Sequence, residues 1–279
     1  MNKRKGLMQE LASAPYLIWM AVFVIVPLIM VAYFAFFGDD GGFTLDHIKD
    51  AAQYGRIFAR SVWLAAVATV ICLVVSYPIA FILSRMKTKN QSTMLMIVML
   101  PMWMNFLLRT YAWMTLLGNE GVLNYLFGLI GLGPFRMLNT QGAIVLGMVY
   151  NYLPYMILPL YSVMEKIDQS VLEASQDLGC GRMQALVRVV VPLSLPGIMS
   201  GITMVFVPAI STFIISRMLG GGSNLLIGDL IEMQFTGSTY NQNLGSAMAF
   251  VLMVIILICM GIMNQFDSAD EEKEGRIVV

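Results

Sequence analysis

A chain of 279 residues that is 58% hydrophobic and only 12% charged carries more apolar surface than one soluble core of that length can hide, whereas a bilayer interior demands no polar outer face. Its 17 basic and 17 acidic residues cancel, so the overall charge gives no reason to expect nucleic acid as a partner. The mean hydropathy is +0.75, and the single histidine, His47, argues against triads and zinc hydrolase chemistry built on imidazole.

A spanning helix needs about 20 mostly apolar residues. Six segments meet that length: 15–37, 61–84, 92–117, 141–164, 197–219 and 244–266. The sequence therefore predicts an all-α polytopic membrane protein with six transmembrane helices. The first span follows Lys3-Arg4-Lys5 and is too long for the core of a cleavable signal. Gly38-Asp39-Asp40 also lacks the small-residue form of a cleavage site, so the span is expected to be retained. The third span carries Pro101, Asn105 and Arg109, and the fifth is interrupted by Pro208.

Basic residues set orientation. With the N-terminus inside, the inner segments hold Lys3, Arg4, Lys5, Arg85, Lys87, Lys89, Lys166, Arg182, Arg188, Lys273 and Arg276, and the outer ones only Lys49, Arg56, Arg60 and Arg136. Both termini are thus expected on the cytoplasmic side of the membrane. Residues 1–14 form a cytoplasmic N-terminus, 15–266 a membrane domain with an inner loop at 165–196, and 267–279 an acidic cytoplasmic tail.

Cys72, Cys180 and Cys259 have no CxxC or CxxH neighbours, which leaves neither a disulfide framework nor a zinc site in view. The 24 methionines read as flexible packing in helix contacts. No catalytic residue, metal or cofactor is expected. No glycine is followed by lysine and then Ser or Thr, so the P-loop mechanism is not available to this chain. If ATP drives its work, the ATPase is a separate subunit.

The loop at 165–196 is far longer than the other inner connection, 85–91, and it is patterned. Asp168 or Ser170 can cap a helix through Val171, Leu172, Ala174 and Leu178, which Gly179 and Gly181 end. A second helix is predicted over 183–191, stopping before Pro192. Ala174 is small enough for close approach to a partner, and Gly179 permits a sharp turn. Glu173 and Asp177 lie four apart on one face, placed to meet basic groups. A simpler role for Glu173 is to sit near its own helix N-terminus for dipole reasons.

Here the chain resembles a family. Permeases of binding-protein-dependent ABC importers carry Glu-Ala-Ala, three residues, Gly, nine residues, then Ile-x-Leu-Pro. In this sequence Glu173-Ala174-Ser175 is followed at that spacing by Gly179 and by Val189-Val190-Val191-Pro192. Ser175, Val189 and Val191 depart mildly from the pattern. The resemblance implies a type I importer permease fold. It also implies that the loop, from Glu173, Ala174, Ser175, Asp177 and Gly179 to Arg182 and Pro192, couples to the ATPase.

Further segments are similar more narrowly to permeases of spermidine/putrescine importers. They are Leu100-Pro101-Met102-Trp103-Met104-Asn105 with Arg109-Thr110-Tyr111-Ala112-Trp113, Leu153-Pro154-Tyr155-Met156 and Asn224-Leu225-Leu226-Ile227-Gly228. This likeness implies a second homologous permease subunit, an ABC ATPase dimer and an extracytoplasmic substrate-binding protein as partners, in a bilayer. It also puts Trp103, Asn105 and Tyr111 on the substrate path.

The outer stretch 220–243 holds Asp229 and Glu232 and no lysine or arginine. Three apart, these acids share one side of a helix and could attract an ammonium. Trp103 could hold one by cation–π attraction. Ordinary alternatives are a solvated amphipathic loop and a packing tryptophan. Arg109 lies about 12 Å below the outer end of its span by helical rise, and is expected to make a structural or gating contact away from the substrate. Arg217, near a span end, is expected to snorkel.

Two other readings compete. The first is a permease of this architecture for ferric ion, thiamine or an oxyanion, which the acidic outer stretch disfavours in the oxyanion case. The second is an ion-gradient-driven carrier or channel. Such proteins commonly place Asp, Glu or His within their spans, and the predicted spans hold none. A membrane-embedded enzyme lacks its paired carboxylates or histidines.

Overall fold

The computed structural model describes residues 15–38, 41–237 and 240–277, with side chains as far as Met263, Thr88 excepted. The predicted N-terminal segment 1–14 lies outside them. In chain order the helices are α1 (Pro15–Phe36), α2 (Asp46–Gln53), α3 (Gly55–Ser84), α4 (Thr88–Trp103), α5 (Phe106–Leu117), α6 (Val122–Leu129) and α7 (Gln141–Met164). They continue with α8 (Gln169–Asp177), α9 (Arg182–Leu193), α10 (Leu195–Ile210), α11 (Ile214–Gly220), α12 (Ile227–Thr236) and α13 (Gln242–Ile277). Among the described residues the regular structure is helical, with one isolated bridge between Phe37 and Phe43.

Four helices are long and apolar enough to cross a bilayer alone: α1, α3, α7 and the Gln242–Met263 part of α13. Two bent pairs, α4 with α5 and α6, and α9 with α10, raise the number to six if each pair is one span. The six expected spans are met in that form, with corrections to the shape of the third and the fifth and to the second loop helix.

The third span is not one helix over 92–117. It bends by 86° between Trp103 and Phe106. Pro101 removes one donor from the last turn of α4. Asn105 then restarts the chain, its Oδ1 accepting from the Leu107 and Leu108 amides at 2.9 and 3.3 Å. Arg109 and the span's outer end at Leu117 both lie in the unbroken α5, so the rise between them stands, while the bend separates that helix from the line of α4.

The fifth span ends at Ile210, and residues 214–219 belong to the separate α11. Pro208 breaks the hydrogen-bond ladder, and the hydroxyl of Tyr152 donates to the Pro208 carbonyl at 3.2 Å. Gly228 lies against the exposed backbone of the break: a Cβ there would come within 2.6 Å of the Ser211 and Thr212 carbonyl oxygens.

The second loop helix does not stop before Pro192. It runs from Arg182 to Leu193 and meets α10 at 70°. Leu186–Val190 is a π-helical turn, closed by the Val191 amide on the Leu186 carbonyl. A proline ring clashes with the carbonyl four residues back, and the wider turn admits it. The same device precedes Pro27, at Ala21–Ile25 of α1. Beyond the sixth span, α13 continues to Ile277.

The chain divides into two compact units. One comprises residues up to Arg56 with Leu230–Ile255. In it Phe36 meets Phe250 edge-on at 5.0 Å and Tyr33 stacks on Phe37 at 4.8 Å. The other comprises Ile57–Asp229 and the chain from Ile256. Its centre is α7 packed on α10 and α11 through small residues. A Cβ at Gly197 would lie 2.9 Å from the Pro159 carbonyl oxygen, and one at Gly201 would lie 2.6 Å from the Met156 sulfur. Such close backbone approach is how helices gain packing energy where lipid supplies no hydrophobic contrast. Met148, Met156 and Met164 are fully buried on α7, the packing role expected of methionine.

Candidate functional site

The segment between α7 and α10 is built by local chemistry. Asp168 caps α8, its Oδ1 accepting from the Ser170 amide at 3.0 Å. That amide, then the Ser170 hydroxyl, holds the Asp168 carboxyl below the usual carboxylate range. Leu172 and Ser175 form the buried side of α8, where Ser175 Oγ donates to the Leu172 carbonyl at 2.7 Å. Glu173, Ala174 and Asp177 are exposed.

The helix closes as the Leu178 amide bonds the Ala174 carbonyl and the Cys180 amide bonds that of Ser175. Gly179 makes this possible at φ +86°, a conformation L side chains rarely adopt. The Gly181 amide then donates to Gln184 Oε1 at 3.1 Å and opens α9. Leu178 is 87% exposed and Met183 71%. Two large apolar side chains at the tip of a short helical hairpin, beside exposed acids, form a surface suited to a protein partner. Arg182 is exposed at the start of α9, and Pro192 is exposed near its end.

The base of this hairpin rests on α3. Arg85, one residue beyond α3, donates from Nη1 to the Ile167 carbonyl at 3.0 Å. Burial lowers its pKa from the usual arginine range, and the charge of Asp168 offsets part of that.

The residues expected on a substrate path are placed differently from one another. Trp103 is 73% exposed at the end of α4, and Tyr111 is exposed on α5. Asn105 is a helix cap that makes the bend. Arg109 is buried on α5, its guanidinium 5.9 Å from the Phe106 ring centre, and its Nε and Nη1 find no acceptor among the described residues. Asp229 is fully buried and accepts from the Leu226 amide at 2.8 Å through Oδ2. Glu232 is half-buried on α12 and accepts from the Thr236 hydroxyl at 2.8 Å.

The outer stretch is tied down rather than solvated around Leu226–Asp229. The Ile227 amide donates to Ser61 Oγ at 2.9 Å, and Arg60 reaches the Leu225 carbonyl at 3.0 Å. Asn224 holds the Asn139 carbonyl at 2.9 Å. Arg217 is exposed near the end of α11.

Sequence reading missed one feature. A cavity of about 210 Å³ is lined by Phe106, Tyr152, Pro208, Ser211, Thr212, Phe213 and Ile214. It lies at the break after α10, and Tyr152 is halfway along α7. The cavity gathers aromatic faces, three hydroxyl-bearing side chains and the carbonyl end of α10, which carries partial negative charge. Its signal in the sequence was Pro208 beside Ser211-Thr212-Phe213, but the pairing with Tyr152 and Phe106 is tertiary.

Comparison with known proteins follows the same lines. The family model for the binding-protein-dependent transport system inner membrane component matches residues 2–269. The spermidine/putrescine transport system permease protein PotB of Haemophilus influenzae is 36% identical over 260 residues, covering 90% of this chain and 91% of its own. The Escherichia coli protein of that name is 34% identical over 248 residues, covering 85% and 90%. A crystal structure of a bacterial ABC transporter involved in import of the acidic polysaccharide alginate superposes with TM-score 0.81 at 17% identity, covering 96% of both chains.

Proposed function

Because the chain belongs to the family of binding-protein-dependent transport system inner membrane components, we propose that it is the permease subunit through which an ATP-driven importer carries polyamines. As a family member it is a multi-pass inner membrane protein and a permease component. Its termini face the cytoplasm in this reading, supported by the distribution of lysine and arginine. The hairpin α8–α9 then lies on the cytoplasmic side and seats in a separate ATPase subunit. Glu173, Ala174, Asp177, Gly179, Arg182 and Pro192 serve that contact, whereas Ser175, expected among them, lies on the buried side of α8 and holds the helix from behind. A second homologous permease, an ATPase dimer and an extracytoplasmic binding protein complete the machine, and ATP hydrolysis belongs to the ATPase.

The observation that carries the reading is the exposed tip of the hairpin: Glu173, Asp177, Leu178 and Met183 are presented outward by a capped helix and a glycine turn. Support for polyamines comes from the relatives at 34–36% identity. The chemistry of the mid-span cavity adds to it. Aromatic faces bind ammonium groups, and carbonyl ends of broken helices hold cations in transporters of other architectures. Trp103 and Tyr111, exposed near the bend, extend such a path. Asn105 and Asp229 serve it by holding its backbone. Alternating access moves the site between the two sides as the ATPase dimer closes and opens.

The test is uptake by vesicles holding the complete complex. ATP-dependent accumulation of labelled spermidine or putrescine, with no accumulation of thiamine, ferric ion or oxyanions, is the expected result. A complex that hydrolyses ATP in response to one of those other solutes and ignores polyamines would overturn the substrate.

A further inference from the structure

We propose that the cleft between the end of α3 and the buried face of α8 is an anion site that takes a phosphate group. The cleft has a volume of about 320 Å³ and is lined by Phe81, Arg85, Gln169, Leu172, Gln176 and Arg182. Gln169, Leu172 and Gln176 recur on one face of α8 at helical spacing. The two glutamine amides therefore stand on either side of an apolar patch. Arg182 approaches from α9 and Arg85 from α3.

Arg85 is the reason to expect a ligand. Its Nη1 is satisfied by the Ile167 carbonyl, but its Nε and Nη2 are buried with no acceptor among the described residues. A guanidinium does not shed its proton, so those donors stay cationic and unmet, and an unmet buried donor is costly. The Phe81 ring, 5.7 Å from the guanidinium carbon, takes the flat face and leaves the N–H edge for a ligand. The Asp168 charge offsets part of the cost of burying Arg85 but makes no hydrogen bond to Nε or Nη2, so this edge keeps its donors for a ligand. Arg85 lines the cleft, so an anion held there would meet Nε and Nη2 once the side chain turns toward it. Two guanidinium N–H groups in parallel suit phosphate oxygens, with Arg182 and the glutamine amides as further donors.

The placement gives such a site a consequence. Arg85 belongs to the end of a span, whereas Gln169, Gln176 and Arg182 belong to the hairpin assigned to ATPase contact. A bound phosphate would tie the hairpin to the span. It could be the headgroup of an anionic phospholipid, since Arg85 lies one residue beyond the span, or a soluble phosphate.

The experiment uses the assembled importer in nanodiscs of phosphatidylcholine with and without phosphatidylglycerol, counting retained lipid by native mass spectrometry. In phosphatidylcholine alone, inorganic phosphate is titrated against chloride at constant ionic strength, with the melting temperature of the complex as readout. Wild type should retain phosphatidylglycerol selectively or gain stability with phosphate. Arg85→Gln and Arg182→Gln should each weaken the effect by about tenfold. Arg188→Gln, exposed on α9 and outside the cleft, should match wild type. Lipid retention identifies the headgroup, and stabilisation by phosphate identifies the soluble ion.

The Arg182 side chain is exposed, so its variant is not expected to lose the fold. If it binds both probes as wild type does, the site is wrong. The proposal also fails if wild type responds to neither probe, if Arg188→Gln loses binding equally, or if cross-linking from a cysteine at Gln176 finds an ATPase carboxylate filling the cleft. Solute uptake is not a readout, so the result does not depend on the substrate being a polyamine.

Discussion

Asp168 shows how much of the hairpin rests on one side chain. Its carboxylate caps α8, and the Ser170 donors lower its pKa. A group whose pKa is depressed by folding stabilises fully above its unfolded value and loses that contribution as pH falls through the folded one. The cap is therefore constant near neutrality and begins to fail only below about pH 4. Asp168→Asn should keep the cap and remove its pH dependence, because asparagine caps as well as aspartate. Asp168→Ala should loosen α8 at every pH. Hydrogen exchange at the Ser170 and Val171 amides checks this, and equal protection in the alanine variant and wild type would contradict it.

Arg109 is the second residue-scale case. A buried guanidinium with two unmet nitrogens inside a membrane protein is expensive and usually functional. Arg109→Gln removes the charge and retains a polar donor. Uptake rate in the variant should fall several-fold, while the half-saturating spermidine concentration stays unchanged, as befits a contact that shapes or gates the span. Unchanged rate and unchanged assembly would eliminate that role. The sequence exposed Arg109 because any charge inside an apolar run stands out. Arg85, by contrast, was one loop cation among several, since its unmet donors arise only when Ile167 and Phe81 pack against it.

At the scale of elements, breaks carry more of the structure than helices do. Hydropathy located α7 to the residue, Gln141–Met164, and drew α1 and α3 close to their observed ends. It could not draw the 86° bend, because the segments before Met104 and after Asn105 are both mostly apolar and window averaging joins them. Pro101 and Asn105 were visible, but a proline in a span can also merely kink it. The bend is fixed by the Asn105 cap, so Asn105→Ala should cost about 1 kcal/mol and widen the angular distribution, while Asn105→Ser should preserve it. Spin labels on α4 and α5 measure this directly. Identical distance distributions in the alanine variant and wild type would show that packing alone sets the angle. The break after Ile210 was legible in the same partial way: Pro208 announced an interruption, but Tyr152 and Gly228, which accommodate its free backbone, come from distant parts of the chain.

For the whole molecule, the spacing of Glu173, Gly179 and Pro192 made the family legible, since it places a capped helix, a glycine turn and a second helix in one connection. The same spacing misplaced the end of the second helix, because a π-helical turn that admits Pro192 leaves no mark on hydropathy. The substrate path was least legible. Asp229, read from sequence only as an acid of the outer stretch, is buried and bonded to the Leu226 amide, because Ser61 and Arg60 draw its segment onto α3. Acidic composition reports charge, and only tertiary contacts report which way that charge faces.

The account stands or falls on the hairpin as the point where ATP hydrolysis meets the membrane. The most direct measurement is the affinity of the purified chain for its ATPase subunit, alongside ATP-driven spermidine uptake by the full complex, for wild type and for Glu173→Arg with Gly179→Pro. These changes reverse an exposed charge and abolish the φ +86° turn, while the spans remain intact. The predicted result is loss of ATPase binding and of uptake together, with the permease still inserted and folded. Undiminished ATPase binding in the double variant would contradict the coupling role.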